Sequence, residues 1–410
     1  MSNTAHIGQR IRELRKIRQM TVRQLATSIH ISPKTLEKYE SGDRNPPPGI
    51  IAQLARSLHV GPDRLTGQPY LNGAETIEQV QAVIPELRRI LLTYDNPDDL
   101  LTAPRPLPVV AAEVDHISRM RQDGRYVPMG PLLPGVLSEL THIALSTRDP
   151  REQAQAYWWL ARGYRATNSL AHKLGYHDLS LTAIERFRWA ASHTEDPMLK
   201  VTGAYLRAGA MVRMGAYGSA RRVLEALDGE IERMAPEGCL PPAYLAVQGA
   251  VLLKLAVLEA RDGHPERAQQ RLAEGRACAE LLRQDTTHYE MSFGPTNVRI
   301  HEVAALIDLG DTEQALARLR EWGAEQDNDE WELPSGIAAE RASHHHIDVA
   351  AARLAEGDRA GAHRDLVRAR ELAPNHVRFH PTVRQTAAAL VRLDRGQSDT
   401  IAGFARWTGV

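Results

Sequence analysis

The sequence predicts an all-α fold, with a small N-terminal unit of five short helices followed by a long solenoid-like body of stacked helical hairpins. Three observations carry this expectation. The first seventy residues divide into short amphipathic segments with recognisable caps. A Gly/Ala/Leu template recurs four times further on at near-constant spacing. The two parts also differ in charge: residues 1–70 hold 11 Lys/Arg against 5 Asp/Glu, +6, whereas residues 71–410 hold 39 against 46, −7. At 410 residues the chain exceeds one compact core of ordinary size, which suits a head on a repeat body. A basic module on an acidic body is the charge pattern of a nucleic-acid-binding head.

In the head, Ile7, Ile11 and Leu14 recur at i, i+4, i+7, with Arg10, Arg12, Arg15, Lys16 and Arg18 around them. Thr21 is a good N-cap, and Gln24 three residues later completes a capping box; Leu25, Ala26 and Ile29 form the buried face. Ser32-Pro33 opens a third helix, with proline where its missing N–H costs nothing. That helix turns Leu36 and Tyr39 inward and ends at Gly42, a left-handed cap. Asn45-Pro46-Pro47-Pro48 forces a turn, Ile51, Leu54, Ala55 and Leu58 mark a fourth helix, and Pro62–Leu65 a fifth. The tight connection between the second and third helices makes a helix-turn-helix unit.

The run Thr21–Ala26, followed by Ile31–Gly42, resembles the Cro/C1-type (XRE) helix-turn-helix family over about residues 6–66. The resemblance implies a structural pair between Arg15 and Glu40 and a recognition helix whose start enters the major groove of double-stranded DNA. On that footing Pro33, Lys34, Glu37 and Lys38 are the base-reading positions, with Ser32, Thr35, Arg44 and Asn45 nearer the phosphates. Lysine can donate to guanine O6/N7, and proline offers apolar contact alone. Where the family often has glutamine after the helix-2 cap this chain has Val22, so Arg23 is expected to supply that backbone contact.

A linker with one helix, Glu75 to Thr93, and a proline-rich joint through Pro104, Pro106 and Pro108 is expected over 71–108, and the repeat body over 109–410. The template reads Gly215/Ala220/Leu224, Gly263/Ala268/Leu272, Gly310/Ala315/Leu319 and Gly357/Ala362/Leu366, with glycines 48, 47 and 47 residues apart. Each glycine falls between two helices, where positive φ turns the chain. This resembles the tetratricopeptide (TPR) repeat at a longer period, which implies helices of about 18–22 residues and six or seven hairpins in a right-handed α-solenoid. Pro108–Arg121 with Pro131–Ser146, and Asp149–Leu174 with His177–His193, are the upstream pairs. Val383–Leu393 and Thr400–Trp407 are the closing one.

Chemistry is mostly absent from the sequence. No phosphate loop, dinucleotide fingerprint, HExxH or GxSxG occurs, so no enzyme and no cofactor are expected. His344 and Asp348 share a helix face, but His345 and His346 point elsewhere and no second ligand pair is identifiable, so no metal is assigned. Cys239 and Cys278 read as buried apolar cysteines, and Tyr157, Trp158 and Trp159 as core. Thirteen residues before each turn glycine stand Thr202, Ala250, Asn297 and His344; four residues later stand Leu206, Lys254, His301 and Asp348. TPR domains commonly clamp ligands from such positions, so Lys254, Asn297, His301, His344 and Asp348 are candidate groove residues, and the tight entry turn Phe293–Arg299 adds Arg299 near a helix start.

A Cro/C1-type head on a TPR-like body is similar to the peptide-sensing quorum regulators. The similarity implies a cytoplasmic, homodimeric transcription regulator on a pseudo-palindromic operator, with a peptide or small-molecule effector and no membrane partner. A scaffold that binds a protein through the solenoid, with DNA binding secondary, is the alternative.

Overall fold

The computed structural model describes residues 6–70, 79–235, 240–394 and 398–410; Gly73, Glu75 and Cys239 lie outside them. The head is five helices: α1 Ile7–Ile17, α2 Val22–Ser28, α3 Pro33–Ser41, α4 Pro48–Ser57 and α5 Pro62–Thr66. Ile11, Leu25, Leu36, Leu54, Leu58 and Leu65 meet in one fully buried core.

The helix α6 Ile84–Leu92 follows, then α7 Leu107–Gln122, α8 Tyr126–Met129 and α9 Leu133–Ser146. Ile84, Leu87, Ile90 and Leu91 share a core with Val110, Leu137 and Leu160. The helix expected in the linker therefore belongs to the body, held by its own apolar stripe. The pairs continue as α10 Pro150–Leu174 with α11 His177–Ser192, α12 Pro197–Arg213 with α13 Tyr217–Arg233, and α14 Pro242–Arg261 with α15 Pro265–Leu282. Next come α16 Pro295–Leu309 with α17 Thr312–Ala324 and α18 Ala339–Ala355 with α19 Arg359–Leu372. The short α20 Pro374–Phe379 leads to a closing pair, α21 Pro381–Asp394 and α22 Asp399–Thr408.

The turn glycines behave as their spacing requires. Gly215, Gly263, Gly310 and Gly357 all have φ between the paired helices in the left-handed region, at 73°, 79°, 86° and 85°. Ala220, Ala268, Ala315 and Ala362 are buried against the preceding helix. The expected helix length of about 18–22 residues is met by α14 and α15, with 20 and 18, and is corrected for α16 and α17, with 15 and 13, where connections fill the period. One connection is an antiparallel β-hairpin, β1 Thr286–His288 and β2 Met291–Phe293, which the helical spacing did not predict. Gly249 on α14 makes it possible, because a Cβ there would lie 2.0 Å from the ring of Phe293. α14 has the length and apolarity of a membrane span, yet 72% of that window is buried, and it serves as the central helix of the body core.

Candidate nucleic-acid interface and the cleft behind it

Helix α3 is fixed by local chemistry. Ser32 Oγ accepts the Thr35 N–H at 3.0 Å, Pro33 occupies the first turn, and Gly42 caps the end at φ 81°. Thr21 and Gln24 close their box in both directions, at 2.8 and 3.1 Å, which sets the approach of α2. Beneath α3, Arg15 grips Glu40 with two bonds, Nε to Oε1 at 2.5 Å and Nη2 to Oε2 at 2.8 Å, both side chains buried. A third bond from Arg15 Nη1 reaches the Met20 carbonyl at 2.9 Å, tying helices α1, α2 and α3 together.

With Leu36, Tyr39 and Glu40 turned inward, Ser32, Pro33, Lys34, Glu37 and Lys38 stand exposed on one side of α3. Arg23 and Arg44 are exposed beside them, while Thr35 and Asn45 are half-buried. Thr35 spends its hydroxyl on Ser32, at 2.8 Å. Lys34 and Lys38 are free of hydrogen bonds and ion pairs to the described residues.

The opposite side of the head lies against the body. Arg392 on α21 donates to the Gly42 carbonyl at 2.7 Å, and Arg56 reaches the Gly215 carbonyl at 3.4 Å. Tyr217 Oη donates to the Gly49 carbonyl at 3.5 Å. Gly175, at φ 88°, sits so close to the head that a Cβ there would lie 2.5 Å from that of Gln68. Between them a cleft of about 230 Å³ remains. Pro48, Ile51 and Ala52 form its apolar head wall; His172, Arg213, Arg261, His344, Asp348 and His380 line the body side.

The six candidate groove residues do not form one patch. His344 and Asp348 face the cleft, with His344 Nε2 3.8 Å from Asp348 Oδ2. Asn297 is a correction: it is 1% exposed, and in the same register Thr202 is 1% and Ala250 6% exposed. His301 turns back to the Asn297 carbonyl at 2.8 Å, and burial, then the nearby Arg341, lowers it to about 3. Lys254 lies over the Tyr205 ring at 4.2 Å. Arg299 is also corrected, since it points into a separate cleft beside Trp322 and pairs with Glu325 at 2.6 Å. Of the three aromatics read as core, Tyr157 is buried, while Trp158 and Trp159 are half-buried under Arg162.

Two groupings escaped sequence reasoning. In the first, the β-hairpin tip carries Glu290 into the body, where Arg162 Nε donates to Oε1 at 2.8 Å and Ser118 donates to the same oxygen at 2.7 Å. Arg121 and Arg165 approach Oε2 at 3.1 and 3.3 Å as ion pairs without aligned hydrogen bonds. Burial alone would raise this carboxyl, but the three guanidiniums overcome it and hold it down at about 2. In the second, His376 and His380 join His344 at the edge of the head–body cleft. Burial, then Lys173, lowers His380 to about 3 and drives His376 well below the ordinary range; burial, then His380, does the same to His344. The spacing His376-x3-His380 was the available sequence signal.

The chain spans 59% of the length of a curated relative, the uncharacterized HTH-type transcriptional regulator RghRB of Bacillus subtilis (strain 168), at 40% identity over 90 residues, 22% of this chain. A crystal structure of Bacillus thuringiensis PlcR in complex with the peptide PapR7 and DNA overlaps 78% of this chain and 95% of its own, at 11% identity and a TM-score of 0.34. The family model described as "Helix-turn-helix domain" matches residues 6–66, the five-helix head. This chain carries an N-terminal helix-turn-helix domain.

Proposed function

We propose that the chain is a sequence-specific DNA-binding transcription regulator, cytoplasmic and homodimeric, whose body answers to a small effector. The carrying observation is the open side of α3: Lys34 and Lys38 stand exposed with no ion pair among the described residues, flanked by Arg23 and Arg44, on a helix whose inner side is locked by Arg15 and Glu40. The relative from Bacillus subtilis, named an HTH-type transcriptional regulator, supports the same reading. One recognition helix reads a half-site, so a pseudo-palindromic operator read by two copies follows from the geometry of such heads.

The effector, a peptide or a metabolite, belongs in the cleft between head and body, since a ligand there touches both. The test is to sequence genomic fragments retained by the purified chain, then repeat with Lys34→Ala/Lys38→Ala. Loss of enrichment in the variant supports the reading, and unchanged enrichment removes it. The scaffold alternative draws on one observation, the hairpin tip seated among Arg121, Arg162 and Arg165, which occupies part of the body with the protein's own side chains. Equal retention of all fragments would favour it.

A further inference from the structure

His344 on α18, His376 on α20 and His380 just beyond it bring ligand nitrogens from three places in the sequence to within 4.8 Å of one another. Their ring centroids form a nearly equilateral triangle with sides of 5.0, 5.2 and 5.5 Å. His344 Nδ1 and His376 Nε2 are 3.3 Å apart. A tetrahedral ion with metal–nitrogen bonds of about 2.0–2.1 Å requires ligand nitrogens about 3.3–3.4 Å apart, so this pair already spans one edge.

The far sides of the rings point the same way. A metal-bound imidazole ordinarily directs its second nitrogen to a carboxylate or carbonyl, which fixes the tautomer. His344 Nε2 faces Asp348 at 3.8 Å, and His376 Nδ1 faces Glu340 at 3.7 Å. Glu340 also neutralises Lys173, at 2.6 Å. His376 is 1% exposed, and neither its Nδ1 nor that of His380 has a hydrogen-bond partner. Buried polar atoms in that state cost free energy. Three imidazoles without a thiolate suit zinc, cobalt, nickel or copper and disfavour calcium or magnesium.

We propose that His344, His376 and His380 bind one divalent transition-metal ion of the zinc type, with its fourth coordination position open to the cleft beneath the head. His344 and His380 themselves line that cleft, so a water molecule or an anionic group entering it completes the shell. The site reaches beyond the DNA-binding reading and does not depend on it.

The experiment is a cobalt(II) titration of the full-length chain after chelator treatment, followed by absorption in the visible region, where tetrahedral cobalt is intense. One equivalent should bind and be displaced by zinc. His376→Ala and, as a conservative variant at the half-exposed position, His380→Gln should each lose more than about 100-fold in affinity, beyond the 10–100-fold that outer partners cost. Far-UV circular dichroism establishes that each variant is folded, and His264→Gln, at an exposed position outside the cluster, should titrate as wild type. A chain that takes up no saturable equivalent, or a folded His380→Gln that titrates as wild type, overturns the site. Neither outcome involves DNA, so this failure is separable from failure of the regulatory reading.

Discussion

Replacing Glu290 by glutamine should destabilise the body by about 3 kcal/mol, and two routes reach that figure. Removing one member of a buried ion pair leaves uncompensated charge, here three guanidiniums, at a cost of about 3–5 kcal/mol. Independently, the carboxyl sits at about 2 in the fold against an ordinary 4.5. A depression of roughly 2.5 units at about 1.36 kcal/mol each is again about 3 kcal/mol. Because the folded value is depressed, the contribution is complete above the unfolded value near 4.5 and is lost as pH falls toward 2. Trp158 and Trp159, with Arg162 5.0 and 4.7 Å from their rings, supply a fluorescence signal at the site. Urea unfolding of wild type and Glu290→Gln between about pH 6 and 2 should show a large gap at the upper end that closes at the lower. Equal midpoints with the same acid slope would refute the account of the hairpin as an electrostatic anchor.

Other outcomes follow from the head and its seat. Lys34→Ala and Lys38→Ala should each cost about 1–3 kcal/mol of operator affinity and relax one base preference, whereas Arg44→Ala should weaken all sequences alike and reduce the salt slope by about 1; mobility-shift titrations at several salt concentrations separate the two. Gly175→Ala forces a side chain into φ 88° and against Gln68, which should cost about 1–3 kcal/mol and speed amide exchange in α5. Light scattering should find the chain dimeric on its operator, and a monomer both free and bound would remove the paired-head argument.

The head was legible almost residue by residue, because its signals are local: Thr21 with Gln24, Ser32-Pro33 and the Gly42 cap each act within four positions. The turn glycines were legible for the same reason. Helix lengths were not, since a repeat period counts residues without saying how many are helical, and the β-hairpin falls inside one period. The groove residues failed more instructively. Counting back from each turn glycine gives the same helix face, but whether that face meets solvent or a neighbour depends on stacking, and Asn297 lies buried while His344 lies at an opening. Arg162, Glu290, His344 and His376 come together across 128 and 32 residues respectively, separations that carry no sequence period.

The bond from Arg392 to the Gly42 carbonyl joins residues 350 positions apart. A stack of repeats is ordinarily a line, in which each unit is steadied only by its neighbours and the two ends melt first. Here the last helical pair also touches the first domain, so among the described residues the two ends of the stack are tied to each other. The end units gain a contact that the ends of an open stack lack, and the head is held both at α13 and at α21. A change in curvature of the units between those two seats would strain one against the other.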